Sequence, residues 1–182
     1  AGTVCLVSGF FNAMNRPLLL SALLLLMLAF VGFLIPLILG LIRVERGGET
    51  VDGIRLAVCA LIIALILGSL RLFSYSGPTA GLDFRFLSAA TDYHVGWGFG
   101  GWVVLLVMAV SFQVIPMFHV APNFSRLVTR GLTALLFVSL LVISVAPSES
   151  LLLALSLLFC LGLIVGYAVY TLRLIQRRKR RL

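Results

Sequence analysis

Five stretches of about twenty apolar residues each dominate this chain and leave little choice of fold. A hydrocarbon core about 30 Å thick needs about 20 apolar residues in helical form. The stretches run at about residues 17–42, 54–73, 95–118, 127–145 and 151–174. In lipid every backbone polar group must find its partner within the segment, so helices are the expected form. The alternating ten-residue strands of a membrane barrel are absent from the sequence. The composition agrees: 62% of the 182 residues are apolar and 11% charged, against about 45–50% and 25% in soluble domains. A soluble enzyme, a disordered chain and a disulfide scaffold are thereby excluded. The expected fold is all-α, a polytopic transmembrane helix bundle forming a single domain over residues 1–182.

The connections read as turns. Residues 43–53 are polar and glycine-rich, 119–126 carry Pro122 and Asn123, and 146–150 form a tight turn in which Ser148 is placed to cap the last helix. The longest link, 74–94, mixes polar and aromatic residues and has room for an interfacial helix. Pro17 suits the first turn of the first long helix. Residues 1–14 are already apolar without the basic start of a signal peptide. They read either as a re-entrant or interfacial piece or as the remainder of a longer chain that begins inside another helix, and the second reading is preferred.

Charge gives an orientation. The chain has 14 Lys and Arg against 6 Asp and Glu. Eleven of the basic residues fall in the 43–55 loop, the 119–130 loop and the tail. Arg16, Arg71 and Arg85 fall on the other side. Cytoplasmic loops are the basic ones, so the C-terminus, with its basic segment 175–182, is expected in the cytoplasm and the protein in the inner membrane. The tail lacks the interleaved aromatics of a nucleic-acid surface; the expected partners are the lipid bilayer and other membrane subunits or a second copy of the chain, with no nucleic acid.

The chemistry-bearing residues are few. Cys5, Cys59 and Cys160 lie in three different apolar stretches, the pattern of small packing residues rather than of a redox pair or zinc site. The carboxylates Glu45, Glu49, Asp52, Asp83, Asp92 and Glu149 all fall in the links, which speaks against a proton-coupled carrier. No nucleophile elbow, P-loop, zinc-protease or EF-hand spacing is present, so no complete catalytic constellation can be drawn. The two histidines, His94 and His119, bracket the third stretch. Twenty-five helical residues cover roughly 37 Å, so they stand at opposite membrane faces and cannot share a metal. A plain reading has His119 capping its helix end, where a cation is favoured.

His94 is followed by Gly96, Gly98, Gly100 and Gly101, with Trp97, Phe99 and Trp102 between them. Gly96 and Gly100 form a GxxxG pair, and glycine spacing by itself favours close helix packing. The alternative is a flat strip against which a planar cofactor lies, with His94 above it. Trp97 and Trp102 also suit interfacial anchors. Arg71 either snorkels or pairs with Asp83, Asp92 or a cofactor carboxylate from the same side.

The run His94-Val-Gly-Trp-Gly-Phe-Gly-Gly-Trp, followed by Val-Ser-Phe-Gln-Val-Ile-Pro-Met-Phe at 110–118, resembles a segment of bacterial membrane proteins related to subunit I of the haem–copper oxidases. There a histidine heads a glycine-rich helix with a similar ending. The resemblance covers about residues 94–119. It implies that haem is the cofactor and that His94 is an axial ligand on the outer side of the membrane. On the residue reading, Gly96, Gly100 and Gly101 would give such a cofactor its flat approach, and His119 is a weaker metal-ligand candidate. The oxidases hold two haems and a copper with six histidines, and this chain has two, so it cannot build that whole centre. The second axial ligand would come from a preceding part of a longer chain, from another subunit or from a methionine; Met108 and Met117 share a helix with His94 and lie too far along it, which leaves Met27 on the first helix as the thioether candidate. The expected function is haem binding with an electron-transfer, respiratory or haem- or nitric-oxide-sensing role. The alternatives are a cofactor-free structural or assembly subunit packing through the glycine-rich helix and, third, a small-solute transporter.

Overall fold

The computed structural model describes residues 1–44, 47–76, 84–147 and 149–177, with backbone alone at 76 and 84–88. Among the described residues there are seven α-helices, one π-helical segment and no strand: α1 Gly2–Phe11, α2 Arg16–Arg43, α3 Glu49–Ser76, α4 Phe84–Val95, the π segment Gly96–Val104, α5 Leu105–His119, α6 Arg126–Val145 and α7 Leu151–Gln176. Five helical stretches are long and apolar enough to cross a membrane: Arg16–Arg43, Glu49–Tyr75, Ala89–His119, Arg126–Val145 and Leu151–Gln176. They coincide with the five stretches expected from the sequence. Their outward sides carry unbroken apolar surface such as Leu24, Leu28, Phe159, Leu161 and Leu172. Apolar surface on helices of this length suits a lipid bilayer. The chain is an all-α multi-pass membrane protein.

The chain packs as two units, one of Ala1–Val44 with Ile62–Val95, the other of Glu45–Leu61 with Gly96–Leu182. In the first unit, α1 folds back along α2 as a helical hairpin. Ala13 and Met14 take left-handed backbone angles, φ 52° and 59°. Asn12 Nδ2 donates to the Ser8 carbonyl at 2.8 Å, and the Asn15 side chain accepts from the Leu18 amide, capping α2. Pro17 falls in the first turn, where no backbone donor is missed. Gly9 lets α1 close on α2, since a Cβ there would stand 2.7 Å from Leu19 Cδ2. At ten residues, roughly 15 Å, α1 is too short to span.

In the second unit the inward faces of α6 and α7 carry small polar residues: Thr129, Thr133 and Ser139 on α6, Ser156, Cys160 and Thr171 on α7. Most of these hydroxyls bond back to their own helix, as Thr133 does to the Thr129 carbonyl at 2.9 Å. Such side chains let membrane helices approach closely. Tyr167 donates across to Ser111 at 2.5 Å, and Ser111 donates to the Met108 carbonyl. Ser150 caps α7, accepting from the Leu153 amide at 3.1 Å. The residue expected in that role, Ser148, lies outside the described residues.

Several sequence expectations need correcting here. Trp97 is no interfacial anchor: it is 2% exposed, its indole N–H donates to Ser144 Oγ at 2.8 Å, and its ring meets Phe137 edge-on at 5.2 Å. Glu49 and Asp52 do not sit in a link but open the first turn of α3, where the helix dipole favours anions. Asp92 lies within α4. Of the three cysteines only Cys160 is buried; Cys59 faces outward.

Candidate functional site

On α3, small residues recur every three or four positions: Gly53, Ala57, Ala60, Ala64 and Gly68. Residues at this spacing lie above one another on a single helix face. Arg71 and Tyr75 continue the face toward the helix end. In the first unit α4 docks on its upper part through Thr91 and His94, one turn apart.

The His94 imidazole occupies the notch between Ala64 and Gly68. A Cβ on Gly68 would stand 2.7 Å from His94 Cε1 and 2.8 Å from Nδ1. Any side chain larger than hydrogen would therefore evict the ring. His94 Nδ1 lies 2.8 Å from the Ala64 carbonyl oxygen. A carbonyl only accepts, so the proton belongs on Nδ1, and in the neutral ring the lone pair belongs to Nε2. Histidines that bind metal through one nitrogen characteristically donate the other N–H to a carbonyl or carboxylate, which fixes the tautomer and the ring plane. His94 is exposed on its helix, so the ring is held but not enclosed.

One turn along, Arg71 is fixed from three sides. Its Nε donates to Thr91 Oγ1 at 3.1 Å and its Nη1 to Ser74 Oγ at 3.4 Å. Its guanidinium lies 4.2 Å from the centre of the Tyr75 ring. Tyr75 in turn meets Phe10 of α1 edge-on at 5.5 Å. Of the carboxylates expected as partners, Asp83 lies outside the described residues. Among the described residues, Asp92 forms no ion pair with Arg71.

The remaining candidates are dispersed. Met27 accepts from Ser69 Oγ at 3.4 Å in an apolar groove of about 480 Å³ that also includes Leu23, Ile66 and Phe73. Ser69 is roughly a third of a turn round α3 from the Ala64–Gly68 notch, so Met27 is not on the His94 side. His119 is exposed at the end of α5. Gly96, Gly100 and Gly101 belong to the second unit, His94 to the first. A Cβ added to Gly96 would meet nothing within 4 Å, and one on Gly100 would meet only Leu140 Cδ2 at 3.5 Å, whereas a Cβ on Gly101 would stand 2.7 Å from Ala60 Cβ. The GxxxG pair is thus not where helices close most tightly. In the second unit that happens at Gly101 on Ala60 and at Gly53 on Ala109, again 2.7 Å.

The glycine run also has a backbone consequence that composition and spacing did not announce. Gly96–Val104 forms a π helix, a wider winding that is rare and concentrates at functional positions. It begins two residues after His94. Among the described residues no group of three or more His, Cys, Asp or Glu side chains is gathered that could hold a metal ion. The site offers one oriented nitrogen and a fixed cation nearby. That suits one axial bond to a planar cofactor rather than a metal centre built from side chains alone. Ala64, Gly68 and Thr91 were not singled out from the sequence; the small-residue spacing on α3 was the signal that could have found the first two. Compared with protein-family models, curated proteins and solved structures, the chain matches none.

Proposed function

We propose that this chain is a haem-binding protein of the inner membrane, with its C-terminus in the cytoplasm and His94 Nε2 as an axial ligand. The observation that carries the reading is the 2.8 Å hydrogen bond from Nδ1 to the Ala64 carbonyl, which commits one nitrogen and presents the other. The ring lies against Gly68, where a Cβ would stand 2.7 Å from it. Arg71, held by Thr91 and Tyr75 on the same face of α3, supplies a positive charge suited to a carboxylate of the cofactor. Bound there, haem would supply one-electron exchange or diatomic-gas binding, hence an electron-transfer, respiratory or nitric-oxide-sensing role. The placement of Met27 on another face of α3 favours a single strong ligand from this unit.

The test is an absorbance spectrum of the detergent-purified protein, oxidised and reduced. A Soret band that disappears in His94→Ala and persists in His119→Ala supports the reading. A colourless protein, or a band unchanged in His94→Ala, overturns it. A second reading, a cofactor-free assembly subunit, draws on the open surface at Gly96, where a helix of another subunit could lie close. It requires Gly96→Leu to dissociate a complex that the wild-type chain retains through purification.

A further inference from the structure

At one end of the second unit, the first turn of α3, the last turns of α5 and the first turn of α6 enclose a cleft of about 640 Å³, within the range of about 300–1,000 Å³ usual for small-ligand sites. It plays no part in the haem reading. Its floor is apolar: Phe112 and Phe124 are buried with ring centres 5.2 Å apart. Its wall is charged. Arg126 Nε pairs with Glu49 Oε1 at 3.0 Å, and the amides of Gln113 and Asn123 also line the space. Three membrane-spanning stretches begin or end here, so the cleft stands at the level of lipid headgroups.

The two charges of the lining cancel, and this selects the occupant. A ligand with net negative charge would face the Glu49 carboxylate; one with net positive charge would face the Arg126 guanidinium. Arg126 and Glu49 compensate each other at 3.0 Å; a zwitterion can exchange with that pair, its anion taking Arg126 and its cation Glu49, and leave neither charge uncompensated. The Glu49 side chain is the more sheltered, 28% exposed against 87% for Arg126. A sheltered carboxylate is best matched by a primary ammonium, which has N–H groups to spare for the amide side chains, Gln113 and Asn123, that also line the cleft. A quaternary ammonium has no N–H to give. The apolar floor and the exposed Met117 at the rim suit the start of acyl chains.

We propose that this cleft binds the headgroup of a zwitterionic aminophospholipid, with its phosphate on Arg126 and its primary ammonium on Glu49. The test is native mass spectrometry of the full chain released from vesicles of equimolar phosphatidylethanolamine, phosphatidylcholine and phosphatidylglycerol. The wild-type protein should retain the ethanolamine lipid about tenfold over each of the others, the worth of one charge-assisted hydrogen bond. Glu49→Gln should erase the preference over the choline lipid, and Gln113→Leu should reduce it. Each variant is read against its own choline-lipid retention, so a folding defect lowers both values and leaves the ratio interpretable. Equal retention of the three lipids by the wild type, a preference for the glycerol lipid, or an unchanged ratio in both variants overturns the proposal. Equally tight binding of free phosphoethanolamine would overturn the assignment to a lipid.

Discussion

The two units use the same stripe of α3 for different ends. In the second unit, Gly53 closes on Ala109 and Ala60 on Gly101; in the first, Gly68 closes on His94. In all three places a Cβ on the glycine would stand 2.7 Å from its neighbour. The methyl contacts contribute dispersion alone. The imidazole contact adds a hydrogen bond at Nδ1, which in the neutral ring leaves the lone pair on Nε2. Small residues in register therefore announce a close approach without saying what approaches; the chemistry enters with the occupant.

That comparison can be broken experimentally. The largest loss is expected for Gly53→Leu, because the obstacle includes the Ala109 backbone, its Cα 3.4 Å from the added Cβ. Overpacking of this kind should cost about 3 kcal/mol, read as a lowered thermal midpoint by circular dichroism in detergent. Gly68→Ala should cost less, about 1–2 kcal/mol, because the imidazole can swing away at the expense of one hydrogen bond. It should also weaken or shift any Soret absorbance. Equal losses in the two variants would erase the distinction between the units. Trp97→Phe keeps the aromatic packing on Phe137 and removes the bond to Ser144, so a loss of about 1 kcal/mol is expected. Gly96→Ala meets open space; it should leave stability unchanged or raise it by up to about 1 kcal/mol, and a clear destabilisation would show that the π winding needs that glycine.

The sequence was most legible where physics acts on long averages. Twenty apolar residues in a row admit one solution in lipid, and the five spans follow. His94 was legible as a candidate because histidine is rare here and a glycine run follows it. Its setting was not. Ala64 and Gly68 look like ordinary members of an apolar helix, and only the approach of α4 turns them into a notch. The glycines after His94 drew attention instead, yet the tightest of their contacts, at Gly101, is a methyl of Ala60. Trp97 illustrates the same limit: aromatic residues near a span end usually mark the interface, but a hydroxyl on α6 draws this one into the core. The ion pairs of Glu49 with Arg126 and of Asp52 with Arg130 join residues far apart in the chain, and no local pattern encodes them.

The unequal lengths of the long helices bear on the thickness of the surrounding membrane. With 20 residues, α6 reaches roughly 30 Å, while the 28 residues of α2 reach roughly 42 Å. The length of α2 exceeds a hydrocarbon core of about 30 Å by about 12 Å, an excess taken up by tilt or by placing the terminal Arg16 and Arg43 among the phosphates. Thicker, sterol-like or saturated bilayers relieve α2 and stretch α6; thinner ones do the reverse. The stability of the chain in a membrane should therefore vary with acyl length.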